Sequence, residues 1–266
     1  IGSIVYYSKA LKLKPDNINA YFNRAICFDK LGLYKKSLAD YKKVISLQPT
    51  ADAYLNRGQV YEHAGKYEQA ISDYTQAITL NPSYGLYIYL NRANSYFLTG
   101  KYDEAIADFN SLIAMYPKYS KVYYKLGVVY DEMQEYEKAI FAYNRAILID
   151  STYSDAYYNR GYDYDELNKP ALALNDFSKA IKFAPDEIDS YFNRALIYED
   201  MEQYENAIAD YSKVIKLDKY AADAYFNRGL AKKQLGRHAE SCNDIEIAVQ
   251  LGDNEAKKYF KENCLR

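Results

Sequence analysis

One tyrosine recurs along this chain at a nearly constant interval: Tyr21, Tyr54, Tyr89, Tyr123, Tyr157, Tyr191 and Tyr225. The spacings are 33, 35, 34, 34, 34 and 34 residues. A period of this length limits the chain to a stack of small, similar supersecondary units, because one such unit cannot bury an apolar face alone and its neighbours must do so. It also explains a composition of 33 Tyr with no Trp. Numbered from the anchor tyrosine, offset +4 is always small (Ala25, Gly58, Ala93, Gly127, Gly161, Ala195, Gly229). Offset +7 is aromatic in every copy except the last, where Lys232 stands. Offset +16 is Ala or Ser, from Ser37 to Ser241, and +20 is Tyr or Phe until Ile245.

The anchor, +4 and +7 share one face of a helix, so they predict the core stripe of a first helix. Offsets +16, +20 and +23, such as Ala70, Tyr74 and Ala77, predict the same on a second helix. Glycine at +11 (Gly32, Gly65, Gly100, Gly236) supplies a left-handed turn between them, with Gln134, Asn168 and Glu202 in the other copies. Pro49, Pro82, Pro117 and Pro185, at +28, stop the second helix.

This pattern of helix pairs resembles the tetratricopeptide repeat family over nearly the whole chain, with Tyr where that family commonly has an anchor Trp. The resemblance implies an all-α fold, a right-handed superhelical solenoid of antiparallel helix pairs with the first helices lining its concave side. The expected organisation is residues 1–17 as the second helix of a truncated repeat, seven repeats over 18–253 (18–50, 51–85, 86–119, 120–153, 154–187, 188–221, 222–253), and a capping helix over 254–266. Asp253 or Asn254 would cap that last helix, and Ala256, Phe260 and Cys264 form its apolar stripe.

Offsets +3 and +19 vary together. Arg24, Arg57, Arg92, Arg160, Arg194 and Arg228 are matched by Asp40, Asp73, Asp108, Asp176, Asp210 and Asp244. The fourth copy replaces both, with Leu126 and Ala142. Joint retention and joint loss point to a structural salt bridge linking the two helices of a pair.

The other face of the first helix carries the candidate binding residues. Offset +2 is Asn23, Asn56, Asn91, Asn159, Asn193 and Asn227, with Lys125 in the fourth copy. An amide both donates and accepts, so this row can hold an extended peptide backbone. Such a row resembles the asparagine ladder of O-linked N-acetylglucosamine transferase. Bonds to the neighbouring repeat are the equal alternative. Asp131, Glu132, Asp155, Asp165, Glu166, Asp189, Glu199 and Asp200 lie at −2, +8 or +9, with Tyr124, Tyr158, Phe192 and Phe226 at +1. Together they predict an acidic, aromatic-lined groove suited to a basic partner, against an ordinary solvated face. The carboxylates are expected on this solvated surface, outside any pocket that would raise their pKa. Lys121 and Lys125, with Asn91 and Gln59, resemble part of the carboxylate clamp of other tetratricopeptide domains, although Leu55 stands where another cation belongs.

A formal net charge of −2 disfavours a nucleic-acid partner, and no apolar run is long enough for a membrane span. His63 and His238 are too far apart in a nearest-neighbour array to form a catalytic site, and no Walker, HExxH, CxxC or dinucleotide motif occurs. No enzyme activity, cofactor or metal is expected. Cys27 is expected as a small core residue. Cys242 and Cys264 fall opposite each other in a hairpin turning near Gly252, so either a disulfide or two neighbouring thiols fits. Location stays open, with the cytoplasm weighed slightly above the periplasm or exterior. The expected function is a protein–protein interaction scaffold binding an extended peptide. Self-association through an open N-terminal end, or service as the targeting part of a longer enzyme, are the alternatives.

Overall fold

The computed structural model describes residues 2–264, and among them the regular structure is helical, with sixteen α-helices and one 3-10 turn at Pro82–Tyr84. The first helices of the seven pairs are α2 (Ile18–Asp29), α4 (Ala51–His63), α6 (Leu86–Leu98), α8 (Ser120–Glu132), α10 (Ser154–Glu166), α12 (Ile188–Asp200) and α14 (Ala222–Gln234). Their second helices are α3 (Tyr34–Leu47), α5 (Tyr67–Leu80), α7 (Tyr102–Met115), α9 (Tyr136–Ile149), α11 (Pro170–Phe183), α13 (Tyr204–Leu217) and α15 (His238–Gln250). Helix α1 (Gly2–Leu13) precedes the pairs and α16 (Asn254–Asn263) follows them. Two compact units, residues 1–129 and 130–266, divide within α8. In each, helices consecutive in sequence pack on one another, forming an all-α helical repeat solenoid.

Local chemistry sets the helix ends. The side chains of Asn17, Thr50 and Asp253 accept backbone N–H bonds at the starts of α2, α4 and α16. The second helices α3, α5, α7 and α11 end two residues before Pro49, Pro82, Pro117 and Pro185.

The second-helix stripe is buried as its spacing predicts: Ala70, Tyr74 and Ala77 have no exposed surface. The first-helix stripe differs from the expectation. Offset +4 is buried throughout, but +7 is buried only at Phe28; Tyr61, Tyr96, Tyr130, Tyr164 and Tyr198 are half-buried. Offsets −1 (Ala20, Ala53, Ile88, Val122, Ala156, Ser190, Ala224) and +6 (Val60, Ser95, Val129, Asp163, Ile197, Ala231) are buried instead. The +6 side chain reaches the preceding repeat: Val60 packs with Ala25 and Tyr41, and Ile197 with Ala173 and Phe177. A small +4 residue admits the +20 ring, and a Cβ on Gly58 would stand 2.7 Å from Tyr74.

The +7 ring is displaced outward because it covers an arginine. All six +3 arginines form two parallel bonds to the +19 aspartate, Nε to Oδ2 and Nη2 to Oδ1, at 2.6–2.8 Å. Each guanidinium also lies over its anchor tyrosine, and all but Arg228 lie over the +7 ring as well. In the last copy Lys232 replaces that ring and pairs with the same Asp244 at 2.7 Å. In five of the six the remaining nitrogen, Nη1, reaches back to the preceding second helix, where Arg92 meets Thr75 (3.1 Å), Arg194 meets Ser178 (2.8 Å) and Arg228 meets Ser212 (2.9 Å). Arg24 likewise meets Ser8 of α1 (3.0 Å), and Arg160 meets Asn144. One side chain thus fastens three helices, through an offset (+21) that the periodicity did not expose. In the fourth copy both Leu126 and Ala142 are buried.

At the cap, Cys242 and Cys264 are joined by a disulfide, with Cα atoms 5.6 Å apart. Tyr259 packs edge-on against Phe226, adding a ring to the expected stripe of α16. Cys27 is half-buried.

Two stability predictions follow from this packing. Asp176→Ala leaves the Arg160 guanidinium without its partner and costs about 3–5 kcal/mol in urea unfolding, whereas Arg160→Leu with Asp176→Ala, the fourth copy's own solution, recovers most of that loss. Gln134, Asn168 and Glu202 hold left-handed backbone (φ 59°, 54° and 58°) at the turn position that is glycine elsewhere. Glu202→Gly relieves that strain and raises stability by about 0.5–1 kcal/mol, net of glycine's greater unfolded-state entropy.

Candidate functional site

The asparagine row lies on the first helices, and most of it bonds the repeat before. Asn159 donates from Nδ2 to the Tyr143 hydroxyl at 3.3 Å, and Asn193 to the Tyr158 hydroxyl at 2.9 Å. Asn91 bonds Tyr74, and Asn227 bonds Tyr211. Asn23 and Asn56 instead donate to carbonyls of their own helices, at Asn19 and Asp52. The phenols continue the chain: Tyr74 donates to Glu62 and Tyr211 to Glu199, both at 2.6 Å. At two junctions, asparagine at +2, tyrosine at +20 of the preceding copy and glutamate at +8 of that copy thus form a relay: Asn91–Tyr74–Glu62 and Asn227–Tyr211–Glu199. An amide has two N–H groups and a carbonyl, so one such bond does not exhaust it.

The +1 aromatics are half-buried against the +20 ring of their own repeat. Ring centroids are 5.7 Å apart for Tyr158–Phe177 and 5.6 Å for Phe192–Tyr211. Tyr124 is also half-buried, while Phe226 is withdrawn from the face altogether and buried under the cap. The face therefore offers ring edges set in a rigid wall.

Its electrostatics are one-sided in the unit of residues 130–266. The C-terminal ends of three successive first helices carry Asp131 and Glu132, Asp165 and Glu166, and Glu199 and Asp200. A helix macrodipole disfavours a carboxylate there by about 0.3–1 kcal/mol. Helices α10 and α12 contain only Arg160 and Arg194 as cations, and both are paired with aspartates. Partial burial raises the Asp165 pKa, and Asp200 and Glu166 raise it further. Burial raises that of Glu199 despite the Tyr211 hydrogen bond, with Asp200 adding repulsion.

The expectation that no carboxylate occupies a pKa-raising pocket is overturned at Asp163. Its residue is 0% exposed, at an offset filled by Val60, Val129, Ile197 and Ala231 elsewhere, and neither carboxyl oxygen meets a hydrogen-bond donor. Burial first, then the adjacent Asp131 carboxylate, push its pKa up to about 9. Asp131 is itself raised, by burial and by Glu132 and Glu166, against the lowering effect of its hydrogen bond with Asp163. Two carboxyls on α8 and α10 thus share a proton at neutral pH. The signal was present in the sequence as one acid in a register of small and apolar residues.

In the unit of residues 1–129, Lys121 is exposed and Lys125 half-buried. Burial and the nearby Lys121 charge lower the Lys125 pKa. His63 pairs with Asp29 across a repeat junction at 3.0 Å. Among the described residues no group of three or more His, Cys, Asp or Glu side chains is arranged to hold a metal, and no helix is long and apolar enough to cross a membrane.

Comparison with known proteins agrees with this architecture. Family profiles described as tetratricopeptide repeat match residues 18–50, 51–84, 84–152, 154–187 and 222–251, and one described as TPR repeat matches 200–236. The chain belongs to the tetratricopeptide repeat family, whose arrays are protein–protein interaction scaffolds. A 48-residue stretch is 42% identical to Hsp70-Hsp90 organizing protein 3 of Arabidopsis thaliana, covering 18% of this chain and 9% of that protein. Another match over 48 residues is 38% identical to the E3 ubiquitin-protein ligase TTC3 of Mus musculus, covering 18% of this chain and 2% of that protein. Less than a tenth of either relative is therefore matched. The C-terminal part of a TPR repeat-containing protein from Cytophaga hutchinsonii superposes with a TM-score of 0.76 at 16% identity, covering 89% of this chain and 98% of that one. YrrB, described as a TPR protein with an unusual peptide-binding site, gives 0.61 at 20% identity over 71% of this chain and 97% of its own.

The buried acid makes stability depend on pH in a defined direction. The folded chain keeps the Asp163 proton up to about pH 9, whereas the unfolded chain releases it near 3.8. Folding therefore takes up a proton between those limits, and this contribution is lost as pH rises through them. Asp163→Asn, which keeps the shape but cannot ionise, gains stability relative to the parent from pH 5 to pH 9 in paired urea titrations. An unchanged difference would show that Asp163 is already ionised in the fold.

Proposed function

We propose that this chain is a non-catalytic scaffold that binds an extended, basic segment of a partner polypeptide along the first-helix face of residues 130–266. The six carboxylates at the ends of α8, α10 and α12 carry this reading. They sit where the helix dipoles oppose them, repel one another, and have no free arginine or lysine on α10 or α12 to neutralise them. The fold uses Glu199 to hold the Tyr211 hydroxyl, but the repulsion among the others goes unrelieved, and a cationic ligand converts it to attraction. Asp155 and Asp189, exposed near the starts of α10 and α12, extend the acidic surface to the other end of the same helices.

The half-buried rings of Tyr158 and Phe192 add apolar contact area between the carboxylates, and the asparagine row adds amides that pair with a main chain irrespective of sequence. The bonds that tie those asparagines to the preceding repeat hold them in a fixed orientation, which lowers the entropy lost on binding. The name of the Arabidopsis relative describes a protein that organises two others, in keeping with a scaffold role for the shared stretch.

Fluorescence anisotropy with labelled octalysine tests this. Binding is expected at low salt and weakens as salt screens the face. Asp165→Asn with Asp200→Asn, two exposed residues whose charges repel each other, weakens it by about tenfold, equivalent to ~1.4 kcal/mol. Absence of binding at low salt, or equal binding by the double variant, would remove the acidic face as the docking surface.

A further inference from the structure

Helix α16 is fixed at both ends and weakly held between them. The Asp253 side chain caps its start, and the Cys242–Cys264 disulfide ties its end back to α15, closing a ring with a sequence separation of 22. The helix is ten residues long, and only Ala256 is buried. Tyr259 and Phe260 are half-buried, and the remaining seven residues are exposed. A free helix shorter than about 12–15 residues is marginal in water, so α16 depends on its attachments. Besides the disulfide these are the Tyr259 ring against Phe226 and the Lys233 ammonium 4.8 Å from the Tyr259 ring centre.

The helix pair beneath has fastenings of its own. Arg228 forks to Asp244 and reaches Ser212, Lys232 joins the same Asp244, and Ile245 packs against Gly229. What α16 covers is Phe226 together with Ala248. Phe226 stands at +1, where Tyr158 and Phe192 are half-buried on the first-helix face, yet it is only 6% exposed. The cap therefore hides the last ring of the aromatic row. Cys242 and Cys264 are themselves half-buried, so neither is sealed inside the core.

We propose that Cys242–Cys264 is a redox latch and that α16 is the lid it holds over Phe226. A dithiol reductant opens the latch by exchange. Its first thiolate attacks one Sγ, the S–S bond breaks, and the second sulfur leaves as a thiolate. The reductant's other thiolate then displaces the first cysteine from the mixed disulfide. Two electrons pass to the chain, the two thiol protons of the reductant end on Cys242 and Cys264, and the reductant leaves as a disulfide. Freed of the ring constraint, α16 opens as a local unit, and Phe226 takes the half-exposed position of Tyr158 and Phe192. The consequence for binding rests on the reading that the first-helix face takes a partner polypeptide: reduction lengthens its aromatic row by one ring.

Hydrogen exchange on the full chain, oxidised and then treated with dithiothreitol, tests the latch. Reduction is expected to lower amide protection over 254–263 by about a hundredfold, the order set by opening a ring of this size, while α14 and α15 keep theirs. Cys242→Ser with Cys264→Ser reproduces the reduced state without reductant. Equal protection of α16 with and without the bond, or a loss spread evenly over α14 and α15, would overturn the latch. The lid is tested by anisotropy with a labelled octapeptide of alternating lysine and phenylalanine, beside octalysine. The mixed peptide is expected to bind the reduced chain about threefold to tenfold more tightly than the oxidised one, and Phe226→Ala abolishes that gain. If α16 opens and the mixed peptide gains nothing, the lid fails and the acidic face stands. If neither peptide binds either form, the first-helix face fails as a docking surface and the lid with it, while hydrogen exchange still decides the latch.

Discussion

The arginine at offset +3 is the joint on which the rest of the array depends. Its three nitrogens are directed to two different helices, and its plane is held between aromatic rings. A buried ion pair contributes little net stability, because desolvation offsets most of the attraction. Its geometry nevertheless has one solution. A bidentate fork to the +19 aspartate fixes the rotation of the second helix against the first, and the bond to the +21 residue of the preceding copy fixes the register between neighbours. Apolar contacts among alanines and tyrosines tolerate sliding far better. The fourth copy lacks that directional joint, and its Leu126 and Ala142 are each buried.

The joint also determines where charge can go. Six arginines are consumed inside the pairs, so the first helices have few cations left for their solvent face. The carboxylates at the ends of α8, α10 and α12 then stand unneutralised, and partial burial against neighbouring repeats strengthens their mutual repulsion. Stability and recognition pull in opposite directions at these positions. The relay from Asn227 through Tyr211 to Glu199 shows how the tension is contained: one carboxylate is anchored by a phenol, while its neighbour Asp200 remains exposed.

Much of this was legible from the chain alone. The period gave the helix pairs, and the joint loss of arginine and aspartate in one copy pointed to their pairing. Offsets −1 and +6 were not legible, because they vary among Ala, Ile, Val, Ser, Asp and Cys and so show no repeated residue type, although their burial is nearly uniform. What decides that burial is contact with the preceding repeat, which lies about 34 residues away in sequence and leaves no signature within a single helix. The same limit applied to the asparagines. Amide chemistry allowed a ligand or a neighbouring phenol equally well, and only the spatial approach of a tyrosine hydroxyl of the preceding repeat, at +20 for Asn159 and at +1 for Asn193, distinguishes these two from Asn23 and Asn56.

In a repeat array the departures from register carry information that the repeats do not. Each copy faces the same structural demands, so a residue that fits them worse than its counterparts reflects some other demand. Lys232 is a departure that the fold absorbs, because it takes over the contact to Asp244 left by the missing aromatic ring. Gln134 departs at the cost of local backbone strain. Asp163 departs most, placing an ionisable group where valine and isoleucine suffice, and the fold keeps it by holding its proton against the Asp131 carboxylate. A departure of this kind belongs to one junction and not to the repeat, and its visible consequence is that this junction's stability depends on pH.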